Sequence, residues 1–254
     1  MILRRIATAI AKQDWFVVII ELAVVIVGIL IGLQVAQWDD GRRERIAERH
    51  YLTRLHGDIQ AMIEWQIAER EWYTDHRQKV ATGLNALQAC QLPDADRETF
   101  EFMLATHQNI AQLNVNRATY DEMISSGALS RLGNEFLKQQ IASTYAIAEQ
   151  IQNRIDYFSS DIGRAGNIIW RYVSFSISPT EEFSISWREH LGLQGPYGTS
   201  VSYDFDALCK NSEFRNAIVE IYDSVDDRLL FTSYFEEALN ELSSLLEVEI
   251  EPAP

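Results

Sequence analysis

Residue types that are scarce in this chain restrict what it can be. Only two cysteines, Cys90 and Cys209, occur in 254 residues, too few for a cysteine metal site or a disulfide-rich scaffold. The five histidines are scattered. None stands in an HExxH or Glu-x-x-His pattern, which would place two metal ligands on one face of a helix. We therefore predict no metal and no other cofactor.

Signatures of common catalytic and nucleotide-binding sites are also missing. The chain has no Gly-x-Gly-x-x-Gly loop, no phosphate-binding loop ending in Gly-Lys-Ser/Thr, and no Gly-x-Ser-x-Gly turn. The sequence Ser125-Ser126-Gly127 is instead typical of the C-terminus of a helix. No catalytic residue is assigned, and an enzyme is the less favoured class of function.

Positive charge is scarce relative to negative charge. The chain has 22 Lys and Arg against 37 Asp and Glu, a net charge of −15. Residues 1–54 carry a net +2, so the rest of the chain carries −17. Binding to nucleic acid needs clustered Lys and Arg for phosphate contacts, so we exclude that partner. The acidic part instead fits a solvated domain beside an anionic lipid surface.

What the chain does contain is a long apolar run from Trp15 to Trp38 with one charged residue, Glu21. At about 1.5 Å of rise per residue the run is long enough to cross roughly 30 Å of hydrocarbon, and tryptophans suit the two interfaces. A cleaved signal peptide is the alternative, but the run is too long and Gln34-Val35-Ala36 is a poor cleavage site. We predict a transmembrane helix over 15–38 and a short interfacial amphipathic segment over 1–14.

One face of this predicted helix carries small residues together with the carboxylate. At about 100° per residue, four positions form a single stripe: Glu21, Gly28, Gly32 and Ala36. Small residues four apart let membrane helices approach closely, and Glu21 would be paired or protonated in that contact. We therefore predict a homo-oligomer associated through this stripe. Two alternatives stay open: Glu21 turns to the near interface and the glycines are incidental, or Glu21 handles protons or ions.

Residues 39–248 show apolar residues at spacings of three and four, which predicts an all-α, acidic bundle of long antiparallel helices. The transmembrane helix is expected to continue into the first long helix, with Gly41 as a candidate hinge. Apolar seams are predicted over Ile46–Leu87 and over Phe214–Leu245, the second of which includes Tyr234. Long helices are predicted to start at Asn134, with Phe136 facing inward, and at Asn211. A short helix between them is predicted to begin with a capping box at Thr119 and Glu122 and to end at a left-handed Gly127.

The helical pattern fails between residues 174 and 210, where Pro179, Pro196 and several glycines occur. We expect a less regular excursion there, with a short strand pair formed by residues 183–187 and 200–205. Residues 249–254 are expected to form a frayed tail.

Two features bear on which side of the membrane holds the large domain. A short basic tail before a first anchor usually stays in the cytoplasm, although Lys and Arg alone slightly favour the downstream side. We favour an extracytoplasmic, periplasmic domain. If the first and last long helices are antiparallel, Cys90 and Cys209 become neighbours, and an oxidising compartment would allow a disulfide. Two unrelated buried thiols are the alternative.

Two stretches resemble an uncharacterised family of bacterial single-pass membrane proteins: DWFVVIIELAVVIVGILIGLQVAQWDDGR and RATYDEMISSGALSRLGNEFLKQQIASTY. They cover about a quarter of the chain. The resemblance implies a location in the bacterial inner membrane and a helical soluble domain, and it implies no activity.

These observations predict a membrane-anchored, self-associating helical bundle with a structural, scaffold or sensory role, whose partners are the lipid bilayer, further copies of the chain and a protein partner. Two alternatives are a small channel or energy-coupling subunit that uses Glu21, and a membrane-tethered enzyme with a site in residues 174–210.

Overall fold

The computed structural model describes residues 15–108, 112–178 and 198–251, with side chains for residues 22–108, 112–176 and 200–251. In these ranges the regular secondary structure is helical apart from one pair of short strands, which confirms the predicted all-α class. In chain order the elements are α1 Trp15–Ala89, a 3₁₀ turn Asp94–Asp96, α2 Arg97–Thr106, α3 Ala118–Ser125, α4 Ala128–Arg131, α5 Glu135–Tyr172, β1 Ser174–Ser178, β2 Gly198–Ser202, α6 Phe205–Lys210 and α7 Ser212–Ile250.

Helix α1 is continuous over 75 residues, as the absence of proline predicts. Gly41 lies inside this helix and does not interrupt it, and a hinge at Gly41 stays a prediction. By its contacts the chain divides into two compact units, residues 1–51 and residues 52–254.

The second unit is built on three long helices, of which α7 is antiparallel to both α1 and α5. As the residue number increases along α1 or α5, the residue number of the contacting partner on α7 decreases. Helices α1 and α5 are therefore parallel to each other. The side-chain pairs that show this are Gln60–Ser243, Glu69–Arg228 and Arg77–Asp226 from α1, and Arg164–Glu220, Arg171–Glu213 and the pair of the N-cap residue Asn134 with Glu249 from α5.

One end of this unit holds an apolar cluster that joins the three long helices to α2 and α6. Phe100 and Met103 of α2 are fully buried there, and Gly83 of α1 lies close enough to Met103 that a Cβ atom would collide with the sulfur. Its most deeply buried members are Val80, Leu87, Phe100, Met103, Leu104, Ala165, Ile169, Phe214, Ile218, Ile221 and Val225.

Four residues expected in the apolar seams are exposed instead: Ile46, Ile67, Phe136 and Tyr234. Ile46 belongs to the first unit, outside the bundle. Phe136 lies in the first turn of α5, and Tyr234 lies next to the buried Phe235, so its side chain points to a different side of α7. Spacing alone misassigns residues at the margin of an apolar stripe, because neighbouring positions differ by about 100°.

Side-chain caps start two of the long helices as expected. Asn134 Oδ1 accepts the N–H of Leu137 at 3.1 Å, and Asn211 Oδ1 accepts the N–H of Phe214 at 3.0 Å. Gly127 has the predicted left-handed conformation, with φ of +72° just after α3.

The predicted capping box at Thr119 and Glu122 is wrong. Helix α3 begins one residue earlier, at Ala118, so Thr119 is inside the helix and buried. Asn116 supplies the local acceptor instead, because its Oδ1 receives the N–H of Ala118 at 3.1 Å. Asparagine satisfies the free N–H groups at a helix start as well as threonine does, so the sequence was compatible with either Asn116 or Thr119 as the acceptor.

Strands β1 and β2 pair antiparallel, with Phe175 opposite Val201. Strand β2 overlaps the expected 200–205 segment, whereas β1 has the sequence SFSIS at Ser174–Ser178, ahead of the similar FSIS at 183–186. Residues 183–187 lie outside the described residues. Helix α7 extends to Ile250, two residues into the segment expected to fray, and residues 252–254 are also outside the described part.

Candidate functional site

Where its side chains are described, the apolar stretch of α1 leaves all of its large hydrophobic side chains uncovered. From Leu22 to Trp38 these side chains are between 48% and 65% exposed, on every side of the helix, and the stretch contains no charged residue. By length and composition, α1 is able to cross a membrane. Contiguous apolar surface of this extent is rare on proteins that remain in water.

The structure leaves the predicted association stripe open. A Cβ atom added at Gly28 or Gly32 would meet nothing within 4 Å beyond its chain neighbours and the backbone of its own helical turns, and Ala36 is exposed. Trp38 is exposed at the C-terminal end of the apolar stretch. Glu21 and Trp15 are helical, and their side chains lie outside the described part.

Cys90 and Cys209 form a disulfide, with their Cα atoms 5.1 Å apart. Cys90 follows the last residue of α1 in a left-handed conformation, with φ of +52°, and it is exposed. Cys209 lies in α6, is 3% exposed and belongs to the apolar cluster. The bond is possible because α7 is antiparallel to α1, so the segment that leads into α7 lies at the C-terminal end of α1.

A buried ion pair crosses the interior of the bundle. Arg228 Nη2 of α7 donates to Glu69 Oε2 of α1 at 2.8 Å, and the two side chains are only 1% and 10% exposed. Arg228 Nη1 also donates to Thr232 Oγ1 at 2.9 Å, and the guanidinium lies 5.2 Å from the ring centre of Tyr73. Burial raises the pKa of Glu69, and the positive charge of Arg228 opposes that rise.

Gln66 lies one helical turn before Glu69 and is fully buried. Within the described part of the chain, neither its amide nitrogen nor its amide oxygen has a hydrogen-bond partner. An unpaired buried amide costs about 1–3 kcal/mol, so Gln66 and the ion pair are unfavourable for stability compared with apolar packing. Such polar residues disfavour other helix registers, in which a charge would lose its partner.

Two buried histidines flank the end of α2. His76 of α1 stacks on Trp72, and its Nδ1 lies 3.4 Å from Thr106 Oγ1, while burial lowers its pKa to about 4. His107 donates from Nδ1 to the carbonyl of Leu104 at 2.6 Å, and burial lowers its pKa too. Both are therefore neutral at pH 7. Among the described residues no group of His, Cys, Asp and Glu is arranged to hold a metal ion.

The nearest approach to a catalytic arrangement joins His56 of α1 to Ser243 and Glu247 of α7. His56 Nε2 lies 3.1 Å from Ser243 Oγ and 3.4 Å from Glu247 Oε1. In a hydrolase triad the acid bonds Nδ1 while Nε2 faces the serine, whereas here both partners share one nitrogen. Ser243 is also buried and receives a hydrogen bond from Gln60 at 2.6 Å. This cluster is therefore a cross-helix contact.

An open groove of about 600 Å³ lies between α2 and the segment from β2 to α6. Tyr203 Oη donates to Glu101 Oε1 at 3.2 Å, and burial raises the pKa of Tyr203, so its hydroxyl remains protonated. Asp204 Oδ1 accepts the N–H of Ala207, and Arg97 contacts Asp94 at 3.3 Å. Tyr203 and Glu101 thus bind each other in the groove, and its described lining includes no nucleophile activated by a base.

The fold and these contacts define an all-α protein with a helical bundle and one helix able to cross a membrane. No family model, no curated protein and no solved structure matches this chain. The resemblance to bacterial single-pass membrane proteins therefore remains a prediction.

Proposed function

We propose that this protein is a single-pass, membrane-anchored helical bundle that self-associates and has a structural, scaffold or sensory role. The observation that carries the proposal is the uncovered apolar surface of α1 between Leu22 and Trp38. Ten Val, Leu and Ile side chains are exposed there, and their insertion at the centre of a bilayer would contribute about −3 to −6 kcal/mol. Lipid can cover such a surface on all sides.

Self-association is supported by the open stripe on the same stretch. Gly28 and Gly32 have free space where a side chain would stand, so a second helix can approach their backbone. In this proposal Ala36 extends the contact, and Glu21 bonds across it, because a carboxyl group in hydrocarbon needs a polar partner.

The proposed location is the bacterial inner membrane, with the bundle on the periplasmic side. The disulfide between Cys90 and Cys209 supports this orientation, because such bonds persist in oxidising compartments and are rare in the cytosol. Protease treatment of spheroplasts is the direct test. Digestion of residues 52–251 is the expected result, and protection of the bundle would contradict the orientation.

Chemical crosslinking of the full chain in membranes tests the association. The matched pair is Ala36→Leu, on the stripe, and Ala23→Leu, which is also exposed and lies about 140° from Ala36 and about 180° from Gly32 around the same helix. We expect Ala36→Leu and Gly28→Leu to reduce the crosslinked species strongly, because leucine holds the two backbones apart, and Ala23→Leu to leave it unchanged. A chain that is monomeric before substitution, or equal effects of the two alanine changes, would overturn self-association through this stripe.

Glu21 gives a separate test of its proposed role. Glu21→Gln keeps a hydrogen-bonding side chain, and Glu21→Leu removes it, so only the second change should weaken crosslinking. If Glu21→Gln instead abolished a proton-dependent phenotype while association remained intact, the channel or energy-coupling alternative would replace the scaffold role.

A further inference from the structure

The two sulfur atoms of the disulfide have very different surroundings. Cys90 is exposed in the turn after α1, where its backbone N–H lies 3.4 Å from the carbonyl of Leu87. Cys209 is 3% exposed and packs in the apolar cluster, in which the neighbouring Leu208 and Phe214 are also buried. An approaching thiolate therefore meets the Cys90 side of the bond, while the protein covers the Cys209 side.

Access to a sulfur decides where thiol–disulfide exchange begins. The attacking thiolate must reach a sulfur along the S–S axis, and the rate also depends on how readily the other sulfur leaves as a thiolate. Apolar surroundings disfavour a thiolate at Cys209, so this cysteine is a poor first nucleophile when the protein is reduced. In the reduced chain, access and nucleophilicity both favour Cys90 as the first nucleophile. In the oxidised chain, access favours attack at the Cys90 sulfur, although the buried Cys209 thiolate is then a poor leaving group that slows the reaction.

We propose that Cys90 is a thiol–disulfide exchange site, whose partner is a dithiol–disulfide oxidoreductase of the oxidising compartment. In the reduced chain, the Cys90 thiolate attacks the disulfide of the partner, forming a mixed disulfide and releasing one partner thiolate. The Cys209 thiolate then attacks the Cys90 sulfur and releases the second. Two electrons pass to the partner, two protons leave the protein thiols, and the Cys90–Cys209 bond forms.

The bond made in this way closes a loop between residues that are 119 positions apart and ties the end of α1 to α6. Helix α6 leads directly into α7 through Asn211. Formation of the bond thus holds the C-terminal end of α1 beside the start of α7. The choice of partner rests on the proposed extracytoplasmic orientation, whereas the preference for Cys90 rests only on the structure of residues 52–251.

Two single-cysteine variants of the full chain in detergent test the preference, with oxidised glutathione as the probe. Cys209→Ser leaves Cys90, and Cys90→Ser leaves Cys209. Under native conditions we expect Cys90 to be glutathionylated about tenfold or more faster, and in guanidinium chloride we expect similar rates. The proposal would be overturned if the two variants were glutathionylated at equal rates under native conditions and at similar rates in guanidinium chloride, or if Cys209 reacted faster than Cys90 under native conditions.

A second measurement avoids substitution, in case the variants fold poorly. The oxidised wild-type chain is treated with limiting reduced glutathione and quenched with acid, and peptide mapping locates the mixed disulfide. Glutathione on the Cys90 peptide is expected, and glutathione on the Cys209 peptide would contradict the proposal. If Cys90 reacts first in vitro but the chain is reduced in cells, then the orientation is wrong and the exchange preference stands.

Discussion

Helix α1 contains two apolar stretches that the structure treats in opposite ways. Leu30, in the first unit, is 54% exposed, whereas Leu55, in the second unit, is fully buried. Composition already separates the two stretches, because residues 22–38 contain no charged residue and residues 52–87 contain nine. Their arrangement differs as well: residues 22–38 are apolar on all sides, and residues 52–87 are apolar on one side.

This difference indicates which environment each stretch requires. In the second unit, polar residues such as Arg54, Asp58 and Glu64 separate the buried positions, so helices α5 and α7 can cover the apolar side while water covers the other. A helix that is apolar all round cannot be covered by one neighbour. Lipid is the environment that suits it without further protein.

The largest expected effect comes from breaking the charge pair of the buried stretch. Arg228→Met should lower the free energy of unfolding by about 3–5 kcal/mol, because the Glu69 carboxylate stays buried without its partner. Urea unfolding of the full chain in detergent, followed by circular dichroism, measures the change.

Two controls accompany this prediction. The double change Glu69→Met with Arg228→Met should restore stability to about the wild-type value or above. Arg43→Met, which breaks the exposed pair with Asp39 in the first unit, should change stability by less than about 1 kcal/mol. A double variant as unstable as Arg228→Met would contradict this account of the pair.

Matched leucine substitutions compare the two stretches directly. Leu55→Ala should lower the free energy of unfolding of the bundle by about 2–5 kcal/mol, since it leaves a cavity in a packed interior. Leu30→Ala should leave that quantity unchanged and reduce membrane insertion by only about 0.5 kcal/mol. Denaturant unfolding and carbonate extraction of membranes are the two measurements, and a loss of bundle stability with Leu30→Ala would show that residues 22–38 are packed against protein.

Acid should weaken the second unit through its buried histidines. The pKa of His76 is lowered from 6.5 to about 4, so the unfolded chain binds a proton that the folded chain does not. Stability from His76 is therefore complete above pH 6.5 and decreases as the pH falls from 6.5 to 4, by roughly 3 kcal/mol. His107 acts in the same direction.

Thermal unfolding at a series of pH values checks this dependence. His76→Leu should flatten the decrease between pH 6.5 and 4, whereas His50→Leu, at an exposed position of the first unit, should leave it unchanged. The same acid dependence in all three proteins would rule out His76 as its source.

The smallest effect concerns the ends of the helices. Asn211→Ala should lower the free energy of unfolding by about 1 kcal/mol, because the N–H of Phe214 loses its acceptor. Asn153→Ala, on the exposed side of α5, is the matched change inside a helix and should be neutral or slightly stabilising. Equal losses from the two changes would contradict the role of Asn211 as a cap.

Sequence reasoning succeeded where the determinant is local. Asn134, Asn211 and Gly127 have the expected roles at helix ends, because each depends on a few neighbouring residues. It failed at Thr119, where Asn116 offered a competing acceptor, and at Phe136, which lies at the margin of a stripe. The first strand was expected at residues 183–187, whereas β1 is Ser174–Ser178, because the sequence FSIS occurs in both segments.

Contacts between distant residues were beyond the reach of the sequence. The pairing of Glu69 with Arg228 spans 159 positions, and His56 meets Ser243 across 187. In a chain with 37 acidic residues, nothing local distinguishes Glu69 from a solvated glutamate. Only the direction and register of α1 and α7 decide which carboxylate meets an arginine.

By itself, the sequence determined the all-α class, the continuous first helix and the apolar stretch able to cross a membrane, because hydrophobic periodicity and the absence of proline act through neighbouring residues. The tertiary structure decided which cysteine is exposed, which ion pair is buried and which histidines are neutral. Those properties depend on solvent access and, in several cases, on a partner more than a hundred residues away in the sequence. The packing of the helices determines both the solvent access and the partner.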